Sequence, residues 1–333
     1  MIAKGMRQSR IKVPADEVEG VYHCMTRTVN GEKKFEEVEK NVLRKQLWQV
    51  ADYCGVQVIT YAILSNHFHV LVRVPQKTAV SDAELLRRFE VLYPRLTKYQ
   101  TMRLEVVRAQ LETNGPEAVA WRKRQGALMG DVSQFMKLLK QRFSIWFNKT
   151  HERYGTLWSE RFKSVLVEPK GRAMETIAAY IDLNGVRAGV VTDPKDYRFC
   201  GYGEAVAGNE RARQGLMLVA GTKTWSEAQA GYRQMLFGTG AGGREQGGSI
   251  AIEEFQRVMK EGGKLPLATV LRCRVRYFSD GAVLGSRAFV ETQLAAYRRY
   301  TQCRMHMAPR DLPDITDWAG LVTLRGLRRQ VFG

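Results

Sequence analysis

The chain has 333 residues, with 52 Lys and Arg against 34 Asp and Glu, so its formal net charge is +18. Hydrophobic residues make up 44% and charged residues 26% of the sequence, which excludes a disordered acidic chain, a collagen and a coiled-coil rod. The basic excess indicates a polyanionic partner. No apolar run reaches about 18 residues, so we expect no membrane partner. The five cysteines lack CxxC spacing and favour free thiols in a reducing cytoplasm.

The first 200 residues alternate between strand and helix patterns. Short apolar or alternating runs predict strands, and apolar residues that recur every three to four positions predict helices. We predict strands over 21–29, 56–64, 67–74 and 161–168, and helices over 37–53, 81–111, 131–148 and 172–183. The order β-α-β-β-α-β-α predicts an α+β protein with a ferredoxin-like (βαββαβ) core, an antiparallel sheet and one further helix.

The rest of the chain is expected to be mainly α-helical, with helices over 225–236, 250–260 and 287–300. Six of the twelve residues from Gly238 to Ser249 are glycine, which predicts a flexible linker. We therefore divide the chain into a domain over 1–205 with a helical insertion at about 77–130, a linker region with one helix over 206–249, and a helical, basic domain over 250–333. The last of these is a candidate for DNA binding.

The sequence His67-Phe68-His69 lies within a predicted strand. Residues at i and i+2 of a strand point to the same face, about 7 Å apart, so both imidazoles can reach one divalent ion. Phe68 then faces the core. The alternative is a strand that simply carries two surface or cleft histidines, and these three residues alone do not decide between the two.

Tyr180 and Asn184 lie four residues apart on the predicted helix and share one of its faces. A tyrosine hydroxyl can attack phosphorus if its proton is removed or its charge is stabilised, and a nearby metal ion assists such a reaction. Asn184 offers an oxygen ligand that suits Mg²⁺ or Mn²⁺. Spacing alone favours the alternative, in which Tyr180 is a core residue and Asn184 ends the helix.

Four motifs taken together resemble one family. They are NHFHVLV (66–72), GTLWSERFKSVLVE (155–168), YIDLNGVRAGVV (180–191) and DPKDYRFCGY (193–202). In this order they resemble the single-tyrosine HUH transposases, with the REP-associated tyrosine transposases and the IS200-like transposases as the nearest branches. The resemblance covers about residues 20–205. The chain departs from the family pattern at Asp182, where histidine is common, and at Gly185, where proline is common.

The resemblance implies a ferredoxin-like catalytic core followed by a helix that carries the nucleophilic tyrosine. It implies one divalent metal, Mg²⁺ or Mn²⁺, with His67, His69 and Asn184 as ligands and Tyr180 as the catalytic residue. Family members cut single-stranded DNA next to a hairpin, form a 5′-phosphotyrosine intermediate with a free 3′-OH, and then transfer the strand. The implied protein is a bacterial, cytoplasmic and nucleoid-associated enzyme that acts as a monomer or a homodimer.

Basic side chains near these motifs are candidates for DNA contacts. They are Arg27, Lys137, Lys140, Arg142, Arg161 and Lys163. Aromatic residues near the helical group could stack on unpaired bases, although we expect Phe135, Phe143 and Trp146 to be core. Two other functions stay open: a catalytically silent protein that binds DNA hairpins, and a protein that binds RNA hairpins.

Overall fold

The computed structural model describes residues 10–14, 17–94, 103–238, 264–272, 275, 277–301 and 308–324. Within these residues the strands form one sheet in the order β2-β3-β1-β4-β5-β7-β6. Their bounds are β1 (Glu19–Arg27), β2 (Gln57–Ile63), β3 (His67–Pro75), β4 (Lys163–Val167), β5 (Val283–Gly285), β6 (Arg310–Asp311) and β7 (Val322–Thr323).

The first four strands have the ferredoxin-like arrangement. Strand β1 lies between β3 and β4 and is antiparallel to both, while β2 is antiparallel to β3. The order β2-β3-β1-β4 is that of a split βαβ sheet. The predicted α+β class with an antiparallel core sheet is therefore confirmed.

The described helices begin and end at local signals in the sequence. Glu36 and Glu39 form a capping box at the start of α1, and Gly55 ends that helix in the left-handed region at φ 63°. The helices are α1 (Glu37–Cys54), α2 (Asp82–Leu92), α3 (Leu104–Thr113), α4 (Pro116–Gly126), α5 (Val132–Thr150), α6 (Arg172–Asp182), α7 (Asn184–Arg187), α8 (Gly201–Val206), α9 (Glu210–Ala220), α10 (Trp225–Phe237), α11 (Leu267–Leu271), α12 (Tyr277–Asp280) and α13 (Arg287–Thr301).

The two faces of β3 contact different helices. Phe68 contacts Trp158, with ring centroids 5.7 Å apart, and Trp158 packs on Phe143 of α5. On the opposite face, His69 lies against Tyr180 of α6. The sheet is thus covered by α5 and its partner α1 on one side and by α6 on the other.

The aromatic residues of α5 belong to the core of the protein. Phe135 and Phe143 are fully buried, and Trp146 packs partly buried against the same cluster. Their predicted role in the core is therefore confirmed, and the burial of two rings removes them as stacking surfaces for unpaired bases.

The helical segments between the motifs differ in detail from the predicted elements. The helical segments predicted over 81–111 are the two helices α2 and α3, and residues 95–102 lie outside the described part. The region assigned to a linker with one helix holds both α9 and α10. Helix α9 packs tightly on β2, because a Cβ at Gly215 would lie 2.2 Å from the carbonyl oxygen of Ile59.

The C-terminal third contributes both helices and strands. Strand β5 is parallel to β4, and β7 is antiparallel to β5, so three short strands that we did not predict extend the core sheet. The helix predicted over 287–300 is α13. The predicted helix over 250–260 and nearly all of the glycine-rich stretch lie outside the described residues. None of the helices in the described ranges has the length and apolar character needed to cross a membrane.

Candidate active site

Three histidines lie on one face of the central strands. His67 and His69 are two positions apart in β3 and point the same way, as predicted, with ring centroids 5.3 Å apart. On the neighbouring β1, His23 is directly opposite Leu71, which shares the face of His69. The rings of His23 and His69 stack, with centroids 5.1 Å apart.

Hydrogen bonds hold each of the three imidazoles. His23 Nδ1 lies 2.7 Å from the carbonyl oxygen of Phe278, and His23 Nε2 lies 2.8 Å from His69 Nδ1. His67 Nδ1 lies 2.6 Å from Oδ1 of Asn66. His23 is 1% exposed, and its burial lowers its pKa to about 4 although the hydrogen bond to Phe278 opposes the shift. His23 is therefore a neutral imidazole at pH 7.

Tyr180 lies against the histidines from the adjoining helix. Its ring centroid is 6.2 Å from that of His69 and 6.4 Å from that of His23, both edge-on. The Arg187 guanidinium lies 3.9 Å above the Tyr180 ring, and Phe278 contacts the ring edge-on at 5.0 Å. Only 3% of Tyr180 is exposed, so the predicted nucleophile lies beneath these two side chains.

Asn184 follows directly after the end of α6. Leu183 breaks the helix, and Asn184 begins the short turn α7. The side-chain Nδ2 of Asn184 donates to the carbonyl oxygen of Ile181 at 3.0 Å and to that of Tyr180 at 3.4 Å. Because these bonds use the amide nitrogen, Oδ1 is the side-chain atom that can serve as a ligand.

Asp182 anchors α6 from its other face. This fully buried carboxylate accepts hydrogen bonds from the Thr60 hydroxyl at 2.9 Å, from the Tyr202 N–H at 3.0 Å and from the Tyr232 hydroxyl at 2.6 Å. Burial raises the pKa of Asp182 to about 6, against the opposing effect of these hydrogen bonds. The network ties the helix that carries Tyr180 to β2 and α10.

Two of the predicted DNA contacts lie on the histidine face of the sheet. Arg27 is paired with His67 across β1 and β3, and it is exposed. Lys163 is paired with Met25 across β1 and β4, which places it on the same face, where it forms an ion pair with Asp280 at 3.4 Å. Arg161 is exposed just before β4. Arg27 and Lys163 thus lie on the face of the sheet that carries the histidines.

The three cations predicted on α5 have different surroundings. Lys137 is exposed. Lys140 donates to the carbonyl oxygen of Glu160 at 2.7 Å, and burial lowers its pKa to about 8. Arg142 donates to the carbonyl oxygen of Leu92 at 3.0 Å. Lys140 and Arg142 therefore take part in contacts within the protein.

Sequence reasoning missed three residues at this site: His23, Arg187 and Phe278. Arg187 lies in α7, beyond the end of α6 at Asp182, so the period of the helix that carries Tyr180 does not extend to it. His23 lies on the alternating strand VYHCMTRTV. The alternation shows which face of the strand carries His23, but not which residue of the next strand lies beside it. No local signal marks Phe278.

The donor set at this site is chemically suited to a divalent ion. His67 and His69 supply two imidazoles on one face, and Asn184 supplies an amide oxygen. Imidazole together with oxygen suits Mn²⁺, and oxygen donors suit Mg²⁺. In the part of the chain that the structure describes, no three His, Cys, Asp or Glu side chains form a group that could hold a metal. A three-ligand site for a divalent ion therefore needs the amide oxygen of Asn184 in addition to the two imidazoles.

Comparisons with known proteins agree with the motifs. Residues 18–89 match the family model described as "Transposase IS200 like". The segment holds the three histidines and ends before Tyr180, and the resemblance found in the sequence is confirmed there. No curated protein matches the chain. Among solved structures, the chain is similar to a REP-associated tyrosine transposase bound to a REP hairpin, with 14% identity and a TM-score of 0.38, over 62% of this chain and 86% of that one.

Proposed function

We propose that this protein is a DNA transposase that cuts and rejoins single-stranded DNA beside a hairpin, with Tyr180 as its nucleophile. One observation carries the proposal. The ring of Tyr180 lies 6.2 Å from that of His69, which lies 5.3 Å from that of His67, although more than a hundred residues separate the tyrosine from the histidines. The family match over residues 18–89 supports a transposase and includes His67 and His69, while Tyr180 lies beyond the matched segment.

The proposed reaction is two successive exchanges at one phosphorus. The phenolic oxygen of Tyr180 loses its proton and bonds to the phosphorus, and the bond from phosphorus to the 3′ oxygen of the DNA breaks. That oxygen takes up a proton, which gives a 5′-phosphotyrosine and a free 3′-OH. A 3′-OH from a second strand then attacks the same phosphorus and releases Tyr180. Because the ester bond is exchanged and not hydrolysed, no nucleotide cofactor is needed.

We propose that His67, His69 and Asn184 hold one Mg²⁺ or Mn²⁺. Such an ion, when bound, polarises the phosphate and neutralises developing charge. The chain itself supplies a further cation, because the Arg187 guanidinium lies over the Tyr180 ring and also donates to the Tyr180 carbonyl oxygen at 2.6 Å. These contacts fix the orientation of the phenol before the phosphate arrives.

The net charge of +18 would concentrate DNA at the surface and orient its backbone. Arg27 and Lys163 are exposed on the histidine face, Arg161 is exposed just before β4 and Lys137 is exposed on α5, so we place the phosphate contacts on these four. Lys140 and Arg142 would have to give up their internal hydrogen bonds to reach DNA. The proposed enzyme acts as a monomer or a homodimer, bound to DNA in a bacterial cytoplasm.

The burial of Tyr180 favours a second candidate function. With 3% of its surface exposed, the tyrosine is reached by a phosphate only after Phe278 or Arg187 moves aside. A protein in which that movement never happens would bind hairpin DNA without cutting it. It could then mark or silence hairpin repeats.

The test uses a single-stranded oligonucleotide that carries a short palindrome flanking the coding region. The full-length protein is incubated with it in Mn²⁺, in Mg²⁺ or in EDTA, and the products are separated under denaturing conditions. We expect a covalent protein–DNA adduct in either metal and none in EDTA. Tyr180→Phe should abolish the adduct and leave binding of the hairpin within about threefold, since it removes one hydroxyl.

Tyr154→Phe is the matched control. Tyr154 is 95% exposed in the loop after α5, so it is the tyrosine that a non-specific reaction would modify first. An adduct that persists in Tyr180→Phe would refute Tyr180 as the nucleophile. Tight hairpin binding with no adduct in the wild-type protein under any metal condition would replace the enzyme with the silent hairpin-binding protein.

A further inference from the structure

A neutral histidine binds a metal through one ring nitrogen while the other carries a proton. The hydrogen bond made by that second nitrogen determines which nitrogen carries the proton and which keeps the lone pair that binds the metal. A strand histidine that changes its tautomer loses the ligand atom without any movement of the backbone. The partners of His67 and His69 therefore decide whether the pair is ready to bind an ion.

The partners of His23 determine the tautomer of His69. A backbone carbonyl only accepts, so the bond between His23 Nδ1 and Phe278 O places the proton of His23 on Nδ1. The ring is buried, which disfavours its charged form, so Nε2 carries no proton and is an acceptor. At 2.8 Å it can only receive the proton of His69 Nδ1. The lone pair of His69 is therefore on Nε2.

Asn66 determines the tautomer of His67 in the same way. The Nδ2 of Asn66 donates to the carbonyl oxygen of Gly31 at 2.7 Å, which fixes the orientation of the amide. Oδ1 of Asn66 then faces His67 Nδ1 at 2.6 Å and accepts its proton. His67 thus has the same tautomer as His69, but its partner is the residue that directly precedes it, whereas the partner of His69 lies on β1.

We propose that His23 and Asn66 are positioning residues that hold His69 and His67 in the Nδ1–H tautomer, so that both present Nε2 as the ligand atom. The metal-binding part of this inference rests on the proposed function, whereas the tautomers are a property of the metal-free protein. His23 is buried, so water cannot replace its two hydrogen bonds.

The arrangement also gives the C-terminal third a role at the site. Phe278 belongs to α12, which packs against β1 and β4. Its carbonyl oxygen orients His23, and its side chain covers Tyr180. A residue 255 positions away from His23 thus sets the tautomer of a proposed metal ligand.

The experiment reads the tautomers directly. Protein labelled with ¹⁵N-histidine is studied in EDTA by two-bond ¹H–¹⁵N correlation NMR, with rings assigned by single histidine substitutions. We expect His23, His67 and His69 of the wild-type protein in the Nδ1–H form. In His23→Leu, His69 should lose that preference. In His23→Gln it should keep it, because the glutamine amide can both donate to Phe278 and accept from His69.

Metal affinity gives a second measurement. We expect His23→Leu and Asn66→Ala to weaken Mn²⁺ binding, followed by electron paramagnetic resonance, by about 10–100-fold, as is usual for loss of a group that orients a ligand. His23→Gln should stay within about threefold of the wild type. His151→Gln is the matched control, because His151 bonds to Glu39 away from the other histidines and should change neither measurement.

Two outcomes would overturn the inference. One is an Nε2–H tautomer for His67 or His69 in the wild-type protein, which is decisive even if His23→Leu does not fold. The other is an unchanged His69 tautomer in a folded His23→Leu. A wild-type protein that binds no Mn²⁺ but shows the expected tautomers would refute the metal site of the proposed function and leave the tautomer assignment standing.

Discussion

Asp182→Asn should change how the stability of the protein depends on pH. The carboxylate is fully buried among Thr60, Tyr202 and Tyr232, and its pKa is about 6 compared with 3.8 for an ordinary aspartate. Asparagine has the same shape. Its oxygen can accept from the Tyr202 N–H and its nitrogen can donate to the Tyr232 oxygen, so the network survives without the buried charge.

The size and sign of the effect follow from the two pKa values. Between pH 3.8 and about 6 the folded protein holds a proton on Asp182 that the unfolded chain has released, so the free energy of unfolding falls as pH rises through this range. A difference of about 2 pKa units at 1.36 kcal/mol each amounts to about 3 kcal/mol. Asp182→Asn cannot titrate and should not lose this stability.

Urea unfolding of both proteins in EDTA, at intervals from about pH 4 to about pH 8, measures the effect. The wild-type free energy of unfolding minus that of the variant should fall by about 2–3 kcal/mol across the series, most steeply near pH 5. Asp196→Asn, which changes an exposed carboxylate on the segment after α7, should leave the shape of the wild-type curve unchanged. A flat difference curve for Asp182→Asn, or one that rises with pH, would refute the reasoning.

Two further predictions test the packing around the site. Phe143→Ala should lower the free energy of unfolding by about 3–5 kcal/mol in urea titrations, because it empties the centre of the aromatic cluster, whereas hairpin binding by the folded fraction stays at the wild-type level. Gly215→Ala should destabilise the protein by about 1–3 kcal/mol, since the new Cβ would meet the backbone of Ile59. Gly231→Ala, in open space on α10, should stabilise the protein by about 0.5–1 kcal/mol. Equal effects of the two substitutions in thermal melts would contradict the packing of α9 on β2.

Two parts of the candidate site could be predicted because their signals are local. The alternation of β3 places His67 and His69 on one face, and the apolar period of α6 marks the helix that carries Tyr180, although Asn184 lies beyond the end of that helix. His23 could not be found in this way. Its closeness to His69, 46 positions away, depends on the register of β1 against β3, which is decided by packing across the whole sheet.

The C-terminal strands escaped prediction for a related reason. Val283–Gly285 and Val322–Thr323 are three and two residues long, too short to show a period of two. Val283–Gly285 is a strand because β4 offers it an open edge, and Val322–Thr323 then pairs with Val283–Gly285. The sequence around Val283 shows a turn-forming run, SDGAVLGS, and the neighbour that makes it extended lies more than a hundred residues earlier.

The added strands also bear on the solubility of the core. The N–H groups of Leu166 and Glu168 donate to Ala282 and Leu284 at 2.9 and 3.0 Å, so the outer side of β4 is paired within its own chain. A chain shortened to residues 1–205 would leave this apolar strand with unpaired backbone groups, and unpaired edges of that kind recruit strands from other molecules. The C-terminal third thus protects the core from edge-to-edge aggregation, and it closes the β4 edge to any dimer built by extending the sheet.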